Sequence, residues 1–408
     1  MDTAIDSPGG PTREGAASRL LSRFGRITSG QKLIPEIDGL RFLAIGAVFA
    51  YHANTLAARA RADRFDWSEG GDLTRWVCED PMTACFAKGY LGVDVFFAIS
   101  GFILGLPFAR HYRQGSAPVL LLPYFARRLS RLEIPYLASL MLAFVAGGIV
   151  TGAFPWSHLL ASCLYVHGIV FGDHSIVNPV AWSLEVEVQF YCMAPFLACV
   201  FIPDRRWVRI AAIIALATVS VVLRTQFRHA LEAWHLEDSI AEQLHCFATG
   251  FLAVEFYLGA HGGRPRCPPW LCDVLGAMGI AWIFWPVRYP EIVEWPSFMP
   301  ACLAIFLAAW RGAIFGQIFR NRWIVTVGGM CYSIYLIHFG AMTLVSDAIG
   351  PWMASLCTSA TANSLVFLFV MVPVAIIPSA AFFLLVERPC MRRDWPQRLI
   401  DRLLRRGC

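Results

Sequence analysis

The stretch Ile34–Thr55, IPEIDGLRFLAIGAVFAYHANT, decides the fold. It is long and apolar enough to cross a bilayer, for which about 20 residues suffice, yet it carries Asp38 and Arg41 near one end and His52 near the other. At about 100° and 1.5 Å per residue, Arg41 and His52 fall within about 20° of one helix face, about 16 Å apart along the axis. Charged and titratable groups at membrane depth are costly unless they are paired or face a wet cavity, so this helix reads as a functional element.

Nine further apolar runs extend the pattern, at 88–109, 132–152, 180–202, 208–225, 241–260, 271–287, 297–312, 322–348 and 363–386. The run 158–172 is too short to span and suits a segment in the outer leaflet or packed against the bundle. Across 408 residues the chain is 57% hydrophobic, 13% aromatic and only 15% charged, with a mean hydropathy of +0.54. An ordinary globular chain has about 25% charged residues, so a soluble fold is excluded. The expectation is an all-α polytopic membrane protein, a single bundle of about ten transmembrane helices.

The net charge of +5 is not a nucleic-acid signal, because the 34 Lys and Arg residues gather at helix ends. Lys and Arg concentrate on the cytoplasmic side of membrane proteins. With ten spans this places both termini in the cytoplasm of a multi-pass protein of the bacterial inner membrane. It divides the chain into a basic tail (1–33), a membrane domain (34–389) and a second basic tail (390–408). The first tail carries Arg13, Arg19, Arg23, Arg26 and Lys32 and reads as a mobile leader, not a cleavable signal sequence. Most of the thirteen cysteines lie in apolar runs and read as core. Cys78 and Cys85 share an outer loop with Trp67 and Trp76, where a disulfide stays an open alternative. His158, His167 and His174 lack the spacing of a helical metal pair, and no metal site is expected.

Polar groups recur in the next spans. Asp94 enters the second from the outer side, at a depth expected to match His52, and Ser100–Gly101 permits close helix approach. Arg127, Arg128 and Arg131 stand at the cytoplasmic mouth of the third. Arg128 and Arg131 are neighbours at i, i+3, and guanidinium forks suit phosphate oxygens.

These residues resemble the motifs of the membrane acyltransferase family 3. The matching stretches are Ile37-Asp38-Gly39-Leu40-Arg41 with His52, Gly92-Val93-Asp94-Val95-Phe96-Phe97 with Ser100-Gly101-Phe102, and Arg128-Leu129-Ser130-Arg131. They continue with Trp182-Ser183-Leu184, Glu187, Phe190 and Tyr191, then Tyr332-Ser333-Ile334-Tyr335-Leu336-Ile337-His338, and end at Glu387-Arg388-Pro389. Six blocks occur in order from Ile37 to Pro389. One departure is Gln243-Leu244-His245-Cys246-Phe247, which lacks an arginine that relatives often have. On this resemblance the expectation is the stand-alone form, without the hydrolase-like domain that fused relatives carry.

The resemblance implies an acyl-CoA-dependent O-acyltransferase that takes its acyl group, acetyl by expectation, from cytoplasmic acetyl-CoA. The acceptor it implies is a hydroxyl of a cell-envelope or exported glycan, free or lipid-linked. Arg41, Arg128 and Arg131 would bind the donor. His52 would be the general base, with an ordinary imidazole pKa of about 6.5, or would carry the acyl group transiently. Glu187 would orient the imidazole, with Asp94 as a further catalytic candidate. Asp38, Ser100, Gly101, Trp182 and His338 would support the site. Two alternatives remain, a proton-coupled transporter and an acyltransferase acting on a lipid or macrolide-like molecule. Transporters often repeat broken helices in matching halves, whereas here the charged motifs crowd into the first half.

Overall fold

A proline at the first helical position and Glu36 and Asp38 in the first turn start α1 (Pro35–Ala62), where a fixed φ and negative charge both favour a helix N-terminus. The computed structural model describes residues 23–27, 33–62, 80–260, 267–285 and 291–391. Every regular element among them is helical. Cys78, Trp67 and Trp76 lie outside the described residues, as do most of the two basic tails.

The second span departs from expectation at its start. Asp80 caps α2 (Pro81–Ala87), its carboxylate accepting from the backbone N–H groups of Met82 and Thr83. The chain then passes through one 3₁₀ turn (Lys88–Leu91) into α3 (Gly92–Gln114). This helical lead-in descends along α1, Asn54 donating to the Thr83 carbonyl and Gly89 and Gly92 backing onto Ala47 and Ala44. Asp94, two residues past Gly92, therefore lies well below His52, not level with it. Cys85 lies in α2 and not on an open loop.

The third and fourth spans are α4 (Leu121–Thr151) and α7 (Trp182–Leu197). Between them α5 (Trp156–Cys163) and α6 (His167–Phe171) occupy the short 158–172 run; with eight and five residues, neither can cross a bilayer. Next come α8 (Arg206–Gln226), α9 (Arg228–Ala233), α10 (Ile240–Ala260), α11 (Pro269–Phe284), α12 (Glu291–Arg311) and α13 (Phe315–Phe319). The run 322–348, expected as one span, is two helices, α14 (Arg322–Gly329) and α15 (Cys331–Ser355), divided at Met330. The reason is packing: a Cβ on Gly328 would stand 1.8 Å from the Asp38 carbonyl oxygen, so α14 is pressed onto the start of α1 and cannot continue along α15. The last span is α16 (Ala360–Phe382), which passes through a π turn (Phe383–Glu387) into α17 (Arg388–Cys390).

Seven helical stretches among the described residues are long and apolar enough to cross a membrane. The three remaining expected spans are helices too. Buried polar residues lower the hydropathy of α1 and α10, among them Asp38, Glu242, His245 and Glu255, and α11 has only 16 residues. Side chains such as Phe369 (83% exposed) and Leu385 (77%) present an apolar exterior that suits lipid and not water.

A close backbone-to-backbone crossing joins α3 to α10. A Cβ at Gly101 would lie 2.2 Å from the Phe247 carbonyl oxygen, and one at Gly250 would lie 2.1 Å from that of Ala98, so neither position admits a side chain. Above them Phe247 stacks on Phe190 at 3.9 Å and tilts against Phe97 at 4.9 Å. Small residues at a helix crossing trade side-chain volume for backbone contact, the main source of association inside a membrane. Gly250→Leu is expected to lose about 1–3 kcal/mol or more, seen as a lowered thermal midpoint of the detergent-purified protein. An unchanged midpoint would show that the helices do not meet here.

Candidate active site

Between α1, α3, α4, α7 and the start of α15 lies a cavity with an empty volume of about 940 Å³, open at its mouth. Arg26, Arg41, Arg128 and Arg131 line it. Asp38 is 1% exposed, and its Oδ1 accepts from Arg41 Nη1 at 2.7 Å and from Arg26 Nη1 at 3.0 Å. One carboxylate thus holds two guanidiniums. Arg128 lies over the Tyr191 ring at 5.7 Å, but neither Arg128 nor Arg131 makes a salt bridge or hydrogen bond to the described residues.

Two carboxylates also face the space. Glu187 accepts from the Ser100 hydroxyl at 2.7 Å, and Glu387 accepts the backbone N–H and the hydroxyl of Ser333. Glu387 reaches the cavity because the π turn carries it round to α15. The other end is walled by Phe96 and Tyr335, with ring centres 6.2 Å apart. The Tyr335 hydroxyl is pinned, donating to the Val180 carbonyl at 2.8 Å and lying 2.7 Å from Ser183 Oγ.

Behind this wall are two histidines. His338 follows Tyr335 by one turn on α15 and is fully buried. The His52 ring lies 5.2 Å from that of His338, 5.0 Å from Tyr51 and 4.8 Å from Phe339.

The expected site residues thus separate into three places. Arg41, Arg128, Arg131, Ser100 and Glu187 share the cavity, with Asp38 anchoring its mouth. His52 and His338 form a pair beyond the aromatic wall, and His52 does not line the cavity. Glu187, expected to orient the His52 imidazole, instead bonds Ser100: it faces the cavity side of α7, and His338 takes the place beside His52. Asp94 is buried and makes no hydrogen bond to the described residues; the charges acting on it are Arg224, Glu294 and Asp238. It belongs to the far side of α3, where Arg224 stacks over Trp295 at 3.6 Å and pairs with Glu242. Gly101 serves the crossing with α10. Trp182 bridges the interior and the exterior loops, its edge to Phe97 and its face stacked on His174 at 5.6 Å.

Arg26 escaped the sequence reading because it lies in a basic tail with no periodicity to mark it. Residues 23–27 return to the bundle instead of trailing from it, as Arg388 Nε donating to the Gly25 carbonyl also shows. Tyr335 and Glu387 stood in motif blocks, but nothing in their spacing placed them at the cavity.

Comparison with known proteins agrees with this architecture. A family model described as an acyltransferase domain matches residues 34–384. Similar proteins include a putative membrane-bound transacylase, BcsY, of Komagataeibacter xylinus, 25% identical over 340 residues, covering 76% of this chain and 73% of that protein. The peptidoglycan O-acetyltransferase OatA of Listeria monocytogenes is 25% identical over 370 residues, covering 81% of this chain and 54% of OatA. A putative O-acetyltransferase of Staphylococcus aureus is 22% identical over 341 residues, covering 77% and 51%. The chain therefore spans about half the length of these last two relatives. No solved structure matches it.

On the loop beside Trp182, His174 Nε2 lies 2.9 Å from Asp238 Oδ2, a hydrogen bond that raises the His174 pKa above its ordinary value. The charged imidazole is favoured in the folded state. Its contribution to stability is complete below about pH 6.5 and fades as pH rises through the raised folded-state value. Asp238→Asn should therefore lower the thermal midpoint more at about pH 5.5 than at about pH 8.5; an equal loss at both would rule the pair out as a titrating contact.

Proposed function

This chain belongs to the acyltransferase-domain family, and from that premise we propose that it is a membrane-embedded O-acyltransferase. It moves an acyl group, acetyl in the simplest case, from cytoplasmic acyl-CoA to a hydroxyl of a cell-envelope or exported glycan. The observation that carries this reading is a cavity lined by four guanidiniums, of which Arg26 and Arg41 share the Asp38 carboxylate while Arg128 and Arg131 make no salt bridge or hydrogen bond to the described residues. The phosphates of CoA match such guanidiniums in charge and in fork geometry. The named relatives, a transacylase and O-acetyltransferases, support acyl transfer and, through peptidoglycan, a glycan acceptor.

In this reading the nucleotide end of the donor rests on the arginines and the pantetheine arm runs between Ser100, Glu187 and Tyr191. The thioester reaches through the Phe96–Tyr335 wall to the His52 side. There His52 takes the proton of the acceptor hydroxyl as its oxygen attacks the thioester carbonyl. The new C–O bond forms, the C–S bond breaks, and the proton passes from the imidazolium to the thiolate, releasing CoA–SH.

His52→Ala should leave the protein in the membrane but cut transfer from labelled acetyl-CoA by on the order of 10²–10⁴-fold; unchanged transfer would remove His52 as the base. Arg128→Ala combined with Arg131→Ala should raise the acyl-CoA concentration needed for half-maximal rate by about tenfold or more. A change in acceptor kinetics alone would show that the cavity binds something else.

A further inference from the structure

His338 Nδ1 lies 2.9 Å from the Ile334 carbonyl oxygen and 2.8 Å from that of Tyr335. Carbonyls only accept, so Nδ1 carries the proton and Nε2 holds the free lone pair. That Nε2 is buried and has no hydrogen-bond partner among the described residues. Buried acceptors are rarely left unmet, and this one belongs to the ring beside His52.

The spacing of the two rings is informative because the same protein contains a ruler. His158 Nδ1 and His167 Nε2 are hydrogen-bonded at 2.9 Å, with ring centres 5.1 Å apart and 35° between planes. His52 and His338 have centres 5.2 Å apart and 54° between planes. Their ring centres thus stand at the separation seen for an imidazole–imidazole hydrogen bond in the same protein.

We propose that His338 is the positioning residue for His52. Its Nε2 accepts the His52 N–H that does not face the acceptor hydroxyl, fixing the tautomer and holding the imidazolium that forms when the hydroxyl loses its proton. The fixed Nδ1–H, aimed at two carbonyls, makes Nε2 a better acceptor, as backbone partners do for other histidines. The role is the one a carboxylate plays in a catalytic triad, here filled by a neutral ring that carries no permanent charge into the membrane. Tyr51 beside His52 and Tyr335 beside His338 are the other titratable side chains in ring contact with the pair. No covalent step is added: the proton taken from the hydroxyl still leaves on CoA–SH. This inference rests on the O-acyltransferase reading with His52 as base.

The test uses membranes holding the full chain, radiolabelled acetyl-CoA, and label counted in the glycan and lipid fractions at equal protein level. His338→Asn keeps a group near Nδ1 but leaves the Nε2 position empty, whereas His338→Gln places an amide oxygen near Nε2. His338→Asn is expected to lower the maximal rate on the order of 100-fold with the KM for acetyl-CoA unchanged, while His338→Gln stays within about tenfold of wild type. The pH–rate limb of His338→Gln should shift, because the amide does not exchange protons with His52. Wild-type rate and limb in His338→Asn would overturn the proposal, as would a His338→Gln that falls as far as His338→Asn. Absence of label transfer by the wild-type chain would instead overturn the acyltransferase reading itself.

Discussion

The buried carboxylate of Asp38 is the constraint on which one end of this molecule depends. It neutralises two guanidiniums at once, one from its own helix and one from the leader, while the backbone carbonyl of the same residue is the surface onto which α14 is pressed through Gly328. Three separate pieces of chain thus meet at one residue. Removing one partner of a buried ionic contact leaves the others uncompensated, which is far costlier than the net worth of the contact. The mouth of the cavity therefore takes its shape from Asp38, although Asp38 is not among the residues that line it.

From there the architecture proceeds by graded polarity. Two arginines held by Asp38 give way to two without a direct side-chain partner among the described residues, then to hydroxyls and a carboxylate bonded by Ser100, then to an aromatic wall, then to two imidazoles. Each step suits a different part of an elongated molecule that is highly charged at one end and reactive at the other. The glycine-lined crossing of α3 and α10 keeps one wall rigid, since two backbones in contact leave no side-chain freedom to absorb movement.

Much of this was legible in the sequence. Length and apolarity mark the spans, and the stripe from Arg41 to His52 follows from helical periodicity alone; Arg41 turns into the cavity and His52 into the ring cluster with His338 and Phe339. The motif blocks also placed Ser100, Glu187 and Tyr335 on the right helices. What stayed hidden depends on contacts between distant segments. Arg26 lies twelve residues before its partner in a tail without pattern. The division at Met330 follows from Gly328 meeting α1, which hydropathy does not register. Asp94 was expected level with His52 because the helical lead-in from Pro81 resembles a loop, and Glu187 was expected at the imidazole because a sequence gives the helix of a residue but not which way it faces once helices are packed.

The tethered Tyr335 has a consequence for the energetics of the host cell. Because its hydroxyl is held by Ser183 and by the Val180 carbonyl, the aromatic constriction does not rely on shape alone to stay narrow. A continuous column of water from one face of the bilayer to the other would conduct protons and dissipate the transmembrane potential. Under the O-acyltransferase reading, a ring fastened by hydrogen bonds narrows that passage to what thioester and acceptor fill between them, and the gradient is spared a standing leak.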